Sequence, residues 1–172
     1  MDLSRNYGEG FTAMMVGRVA SQRGFLMPER QYPIRIPPTV GGAAPLEFTQ
    51  AITRQESSFD PRARSHANAR GMMQFLPATG RSVARQLGLP YSDERLYDAD
   101  FNMTLGSYHL GDLSRNFGGS ILLTTIGYNA GPARPPQWIA RCGDPRGGAV
   151  DPIDFIECTP FTETRNYMMR VM

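Results

Sequence analysis

Lysine is absent from this chain of 172 residues; all 18 of its basic side chains are arginine. That is a codon-usage signature and carries no chemistry of its own. Set against 16 carboxylates, it leaves a net charge of +2, too little to argue for a nucleic-acid partner. Cysteine is scarce. Cys142 and Cys158 are too few for a disulfide framework, and their spacing fits no zinc motif. They read equally as one disulfide outside the cytosol or as two buried thiols. With two histidines and no Cys/His cluster, no metal and no cofactor are expected. No run is long and apolar enough to span a membrane, and Met1-Asp2-Leu3 does not open a signal peptide. The expectation is either a cytosolic chain or a piece whose leader and flanking domains have been cut away. The close on Arg170-Val171-Met172, inside a helical pattern, favours the piece. Alternating strand patterns and internal repeats are also missing, which leaves an all-α class.

What is present describes an ordinary globular protein: 41% hydrophobic and 20% charged residues, long enough for one domain with a core. Phe11, Met14, Met15 and Val19 give residues 10–22 a helical spacing, with little to bury against. Residues 27–45 carry Pro28, Pro33, Pro37, Pro38, Gly41, Gly42 and Pro45, which forbid any long regular element and read as an extended linker. The compact domain is expected from Leu46. A helix from Pro77 stops at Gly88, and another starts at Asp98 or Asp100, carrying Phe101, Leu105, Tyr108 and Asp112 on one face. Ser120 caps Ile121 to Tyr128, and a short helix surrounds Trp138. Residues 142–152 read as loop, and Phe161 to Met172 as a last helix with Phe161, Met168 and Val171 inward.

The stretch that carries chemistry is Glu56-Ser57-Ser58-Phe59-Asp60-Pro61. Leu46, Thr49, Ile52 and Glu56 share one helical face. Glu56 therefore points toward a core or a cleft floor, near a helix end that Asp60-Pro61 enforces. A carboxyl on an apolar face, at the negative end of a helix, resists ionisation. A glutamic acid kept protonated near neutral pH serves as a general acid. The competing reading is a partly buried glutamate bonded to backbone. Arg62, Arg64, Arg70, Arg81 and Arg85 follow, either as a basic cleft rim or as a solvated face.

Three further motifs follow in order: Gly71-Met72-Met73-Gln74, then Gly127-Tyr128-Asn129-Ala130-Gly131-Pro132, then Pro160-Phe161-Thr162-Glu163-Thr164-Arg165-Asn166-Tyr167. With the Glu56 motif they resemble the catalytic domain of the soluble lytic murein transglycosylases, a family with a goose-lysozyme-like fold. The resemblance covers residues 46–172. Residues 1–45 lie outside it and are expected to be the tail of a preceding helical domain. The resemblance implies a peptidoglycan substrate in the periplasm or cell envelope and a monomeric enzyme. It implies cleavage of the N-acetylmuramic acid–N-acetylglucosamine β-1,4 bond, leaving a 1,6-anhydromuramic end without water. Conventional glycosidases use two flanking carboxylates. Here Glu56 is expected to act alone, as acid and then as base, while the substrate's own N-acetyl group stabilises C1. Asp60, ahead of Pro61, reads as a turn cap.

Carried over residue by residue, the resemblance gives Ser65, Met73, Gln74, Tyr128, Asn129 and Glu163 as substrate-binding positions. Each has a plainer reading: a loop-capping hydroxyl for Ser65, wall packing for Met73, an amide satisfying backbone for Gln74, a packed ring for Tyr128. For Asn129 a left-handed helix end is preferred, and Glu163 suits the first turn of a helix. Arg165, Asn166 and Tyr167 are expected to hold the last helix on the core. The chain departs from the family pattern at Asn68, where Gly is usual, at Leu76 for Met, and at Gly127 for Ala. Asn tolerates positive φ, so the turn at Asn68 is expected to survive. A disulfide between Cys142 and Cys158 would tether the loop beside Glu163. Two other readings remain: a muramidase or chitinase that hydrolyses, with Glu163 or Asp60 as second carboxylate, and a glycan-binding module without activity.

Overall fold

A computed structural model describes residues 10–172. The start of the expected leading segment, residues 1–9, lies outside the described residues. In chain order the helices are α1 (Gly10–Gln22), α2 (Pro28–Gln31), α3 (Leu46–Ser57), α4 (Pro77–Gln86), α5 (Ala99–Asn116), α6 (Ile121–Ala130), α7 (Arg134–Cys142), α8 (Pro152–Cys158) and α9 (Thr162–Val171), with a 3₁₀ turn at Glu94–Tyr97. Among the described residues there is no strand, only the isolated bridges Arg64–Arg70 and Arg70–Phe75. The class is all-α.

The caps act where their chemistry sends them. Asp98 accepts from the Phe101 N–H at 2.8 Å and starts α5, which settles the choice between Asp98 and Asp100. Ser120 caps α6 through the Leu123 N–H. Gly88, at φ 66°, follows the end of α4. Helix α8 is absent from the sequence reading, although Asp151 caps it and Pro152 occupies its first turn. Seven residues give too short a periodicity to register, yet Phe155 is fully buried there.

Helix α5 is buried on nearly every side, from Phe101 and Asn102 to Leu110, Gly111 and Leu113, and the other elements are arranged around it. The core has two lobes. One gathers Phe48, Ile52, Phe59, Met72, Met73, Phe75, Phe101, Leu105 and Tyr167. The other gathers Leu113, Leu122, Leu123, Ile126, Trp138, Phe155 and Met168. Helix α9 bridges them through the consecutive pair Tyr167 and Met168, and Tyr128 packs against both. Phe161 departs from expectation: it is 43% exposed and lies edge-on to Trp138 at 5.3 Å, because it precedes α9 rather than belonging to its inner face.

The leading segment is tied down. Met14 of α1 is 1% exposed and belongs to the first lobe, so α1 does find a surface to bury. The linker between α2 and α3 runs extended. Gln50 clasps the Arg35 backbone, Arg35 pairs with Asp100 at 2.7 Å, and Arg115 donates to the Gly42 carbonyl at 2.7 Å.

Candidate active site

Glu56 lies in the last turn of α3. The helix stops earlier than Asp60-Pro61 requires, because Ser58 and Phe59 both adopt positive φ, 59° and 65°. Two successive non-glycine residues in this region are strained. Local bonds hold them: Ser57 Oγ donates to the Met72 carbonyl at 2.7 Å, and the Asp60 N–H returns to Ser57. Asp60 itself accepts the Arg62 N–H, the turn-capping role its sequence context suggests. The reversal leaves Glu56 largely buried under α9.

The Glu56 carboxyl is pushed from its ordinary 4.5 to about 7. Burial is the main cause, and the charge of Glu163 adds to it. One contact opposes the rise: the Tyr167 hydroxyl donates to Glu56 Oε1 at 2.6 Å, favouring the ionised form. Tyr167 is 5% exposed, and burial beside Glu56 holds its own ionisation well above the usual range. It packs α9 on the core as expected. It also orients the acid, a contact 111 residues away in sequence that the motif reading does not contain.

Tyr128 stands across the same space. Burial first, and then Glu56, push its ionisation upward. Its hydroxyl donates to the Met73 carbonyl at 2.7 Å, not to Glu56. Met73 is fully buried, and its sulfur packs so closely on α5 that a Cβ at Gly106 would come within 2.0 Å of it. Met73 thus offers its carbonyl to the site and its side chain to the core.

The loop that holds Met73 closes through reciprocal Arg70–Phe75 backbone bonds of 2.9 and 3.0 Å. Gly71, at φ 77°, approaches the Leu96 carbonyl so closely that no Cβ fits. Asn102, buried in the middle of α5, is the pin. It accepts from the Met73 N–H at 2.8 Å and donates to the Arg70 and Leu96 carbonyls at 3.0 and 2.8 Å. An asparagine fully buried in a helix is the signal that could have found it.

Gln74, at φ 50°, gives its amide N–H groups to the Ala63 and Gly71 carbonyls. Ser65 Oγ accepts the Ala69 N–H at 3.0 Å. Both make the backbone bonds of their plainer readings. Asn68 does take a positive φ of 67°, so the turn survives without glycine. Asn129 differs from expectation. It stays helical and accepts from Thr164 Oγ1 at 2.8 Å, tying α6 to α9, while the left-handed turn falls on Gly131 at φ 94°. Glu163 is exposed in the first turn of α9.

His109 of α5 was not singled out by sequence. Its ring lies 5.8 Å from Tyr128 and 5.9 Å from Phe75. Burial lowers its pKa, against an upward pull from Asp112. On the far side of α9, a disulfide joins Cys142 at the end of α7 to Cys158 at the end of α8, closing over residues 143–157.

This geometry has counterparts. The family model for the transglycosylase SLT domain matches residues 41–147. A putative soluble lytic murein transglycosylase of Haemophilus influenzae is 39% identical over 126 residues, covering 73% of this chain and 21% of that one. The lytic transglycosylase Slt of Pseudomonas aeruginosa, solved as an inactive mutant, superposes with a TM-score of 0.80 at 32% identity, over 98% of this chain and 27% of that one. A complex of the 70-kDa soluble lytic transglycosylase with bulgecin A gives 0.83 at 26% identity, again over 98% of this chain and 28% of that one. The chain thus spans about a fifth of the length of the curated relative and shares its structural neighbours' all-α, lysozyme-like fold.

Proposed function

This chain belongs to the transglycosylase SLT domain family, and from that premise we propose that it cleaves the N-acetylmuramic acid–N-acetylglucosamine β-1,4 bond of peptidoglycan without water. The observation that carries the reading is the state of Glu56: a single carboxylic acid, buried to a pKa of about 7 and oriented by Tyr167. In the proposed step, Tyr167 donates to Oε1 and leaves the other oxygen of protonated Glu56 to deliver its proton to the glycosidic oxygen. The C1–O bond breaks as the substrate's N-acetyl carbonyl oxygen bonds to C1. Glu56, now a carboxylate, takes the proton of the C6 hydroxyl. That oxygen attacks C1, the N-acetyl oxygen departs, and a 1,6-anhydro ring closes. The Tyr167 bond favours the carboxylate form, so it assists the first proton transfer, which creates that form.

We assign substrate contact to Ser65, Gln74, Tyr128, Asn129 and Glu163 along one groove, which the fully buried Met73 backs from the core. The catalytic unit is residues 46–172, with residues 1–45 as a leading segment packed against it. The cell envelope follows as the place of action because the substrate is there.

Mass spectrometry of soluble products from purified peptidoglycan tests the reading. Anhydromuropeptides are expected; products heavier by one water would replace it with hydrolysis. Glu56→Gln should bind glycan and release nothing, and turnover by that variant would remove Glu56 from the mechanism.

A further inference from the structure

His109 takes no part in that scheme, yet its setting is unusual. Histidine buried in a core normally spends both ring nitrogens on protein partners. This partly buried ring forms a three-ring cluster with Phe75 and Tyr128, at 5.9 and 5.8 Å, those two rings being themselves edge-on at 6.5 Å, so both partners lie to one side of it. No hydrogen bond to either nitrogen is found among the described residues. Nor is either nitrogen sealed from solvent: the buried side-chain atoms without partners are Arg35 Nε, Arg54 Nε and Thr125 Oγ1, not those of His109. The imidazole is packed by aromatic rings on one side, and its nitrogens remain accessible. The ring touches Tyr128, which lies close enough to Glu56 to feel its charge, so His109 stands one residue removed from the acid.

Resting on the reading of that space as a glycan groove, we propose that His109 is a substrate-contacting residue, hydrogen-bonding an uncharged hydroxyl or acetamido group of an N-acetylhexosamine on the Tyr128 side of Glu56. The ligand class follows from the ring's state. Burial lowers its pKa, so near neutral pH the imidazole offers one N–H donor and one bare nitrogen acceptor. That pair matches a hydroxyl or a secondary amide. It does not match a carboxylate, which would need a cation, and the nearest charge acting on His109 is the negative Asp112. Phe75, 3% exposed, backs the ring from the core, and the partly exposed Tyr128 ring supplies the apolar surface for a sugar's C–H face.

The test uses the full chain with Glu56→Gln as the non-cleaving parent and soluble, uncrosslinked peptidoglycan glycan strands as the probe. The added change His109→Leu keeps the packing against Phe75 and Tyr128 and removes the nitrogens. Glycan binding by calorimetry should weaken about tenfold, the loss of one or two hydrogen bonds, and His109→Gln should restore part of it. Melting of the Leu variant within about 3 °C of the parent separates contact from folding. A second readout does not depend on mutation. The chain has two histidines, so ¹⁵N imidazole signals are readily assigned by the Leu variant, and those of His109 should move on adding glycan. A Leu variant that binds within about twofold of the parent, with unmoved His109 signals, overturns the proposal and leaves the groove reading standing. A parent that binds no glycan overturns both.

Discussion

Glu56 is the residue whose proton bears on stability and, in the proposed mechanism, on rate. Its pKa is about 7 folded and 4.5 in an ordinary setting, so between those values the unfolded chain has released a proton that the folded chain keeps. For a raised acid the sign is unfavourable: folding loses stability as pH rises from 4.5 toward 7, and the full cost is present above about 7. Glu56→Gln should therefore equal the parent in urea stability at acid pH and exceed it by roughly 3 kcal/mol above neutrality. Equal stabilities across the range would mean the carboxyl is hydrated. Because the proposed first step uses the protonated form, kcat/KM should fall as pH rises through about 7. Tyr167→Phe removes the bond that lowers this pKa, so the falling limb should move to higher pH. Turnover should drop about tenfold at the same time, as the acid loses its orientation. A Phe variant with an unshifted profile would leave Tyr167 a packing residue only. The acid's side chain and its helical face were legible in sequence. Its partner was not, because nothing local in Tyr167 separates a ring that packs from a ring that also donates.

At the scale of elements, α5 acts as the mount and the 70–75 loop as the fitting. Gly106 admits the Met73 sulfur, Asn102 fixes the loop backbone, and the Met73 carbonyl holds Tyr128. Gly106→Ala puts a methyl 2.0 Å from that sulfur. It should cost about 1–3 kcal/mol in chemical denaturation and reduce activity beyond the stability loss, since Tyr128 is displaced with Met73. Parent-like behaviour would show that the loop shifts without consequence for the site. Helices α3 to α6 were readable because caps and period reside within a few residues of one another. Helix α8 was not, because it has two turns and its buried Phe155 looks like any other loop phenylalanine. Asn129 shows the opposite failure: a residue type that suits a left-handed turn stays helical because Thr164 of α9 takes its side chain, and Gly131, two residues on, takes the positive φ at less cost.

At the scale of the molecule, two core lobes meet where Tyr128, Tyr167 and Glu56 come together, and α9 spans the junction. The Cys142–Cys158 bridge fastens α7 to α8 immediately before α9 begins. Its ends are 16 residues apart, so loop closure is worth about 3 kcal/mol in the unfolded chain. The native protein should show no free thiol until denatured and reduced. Cys142→Ser with Cys158→Ser should melt several degrees lower. Two titratable thiols in the untreated protein would mean the bridge does not form.

Periodicity, capping and turn chemistry act between near neighbours, so the all-α class, the main helices and their caps, and Glu56 with its motifs in order could be read from the residues alone. The packing of distant elements was needed to bury Glu56 to a pKa of about 7, to bring Tyr167 against it, to commit Tyr128 to a backbone carbonyl and to pair the two cysteines. Desolvation and long-range hydrogen bonds depend on which distant surfaces exclude water together, and no local pattern encodes that.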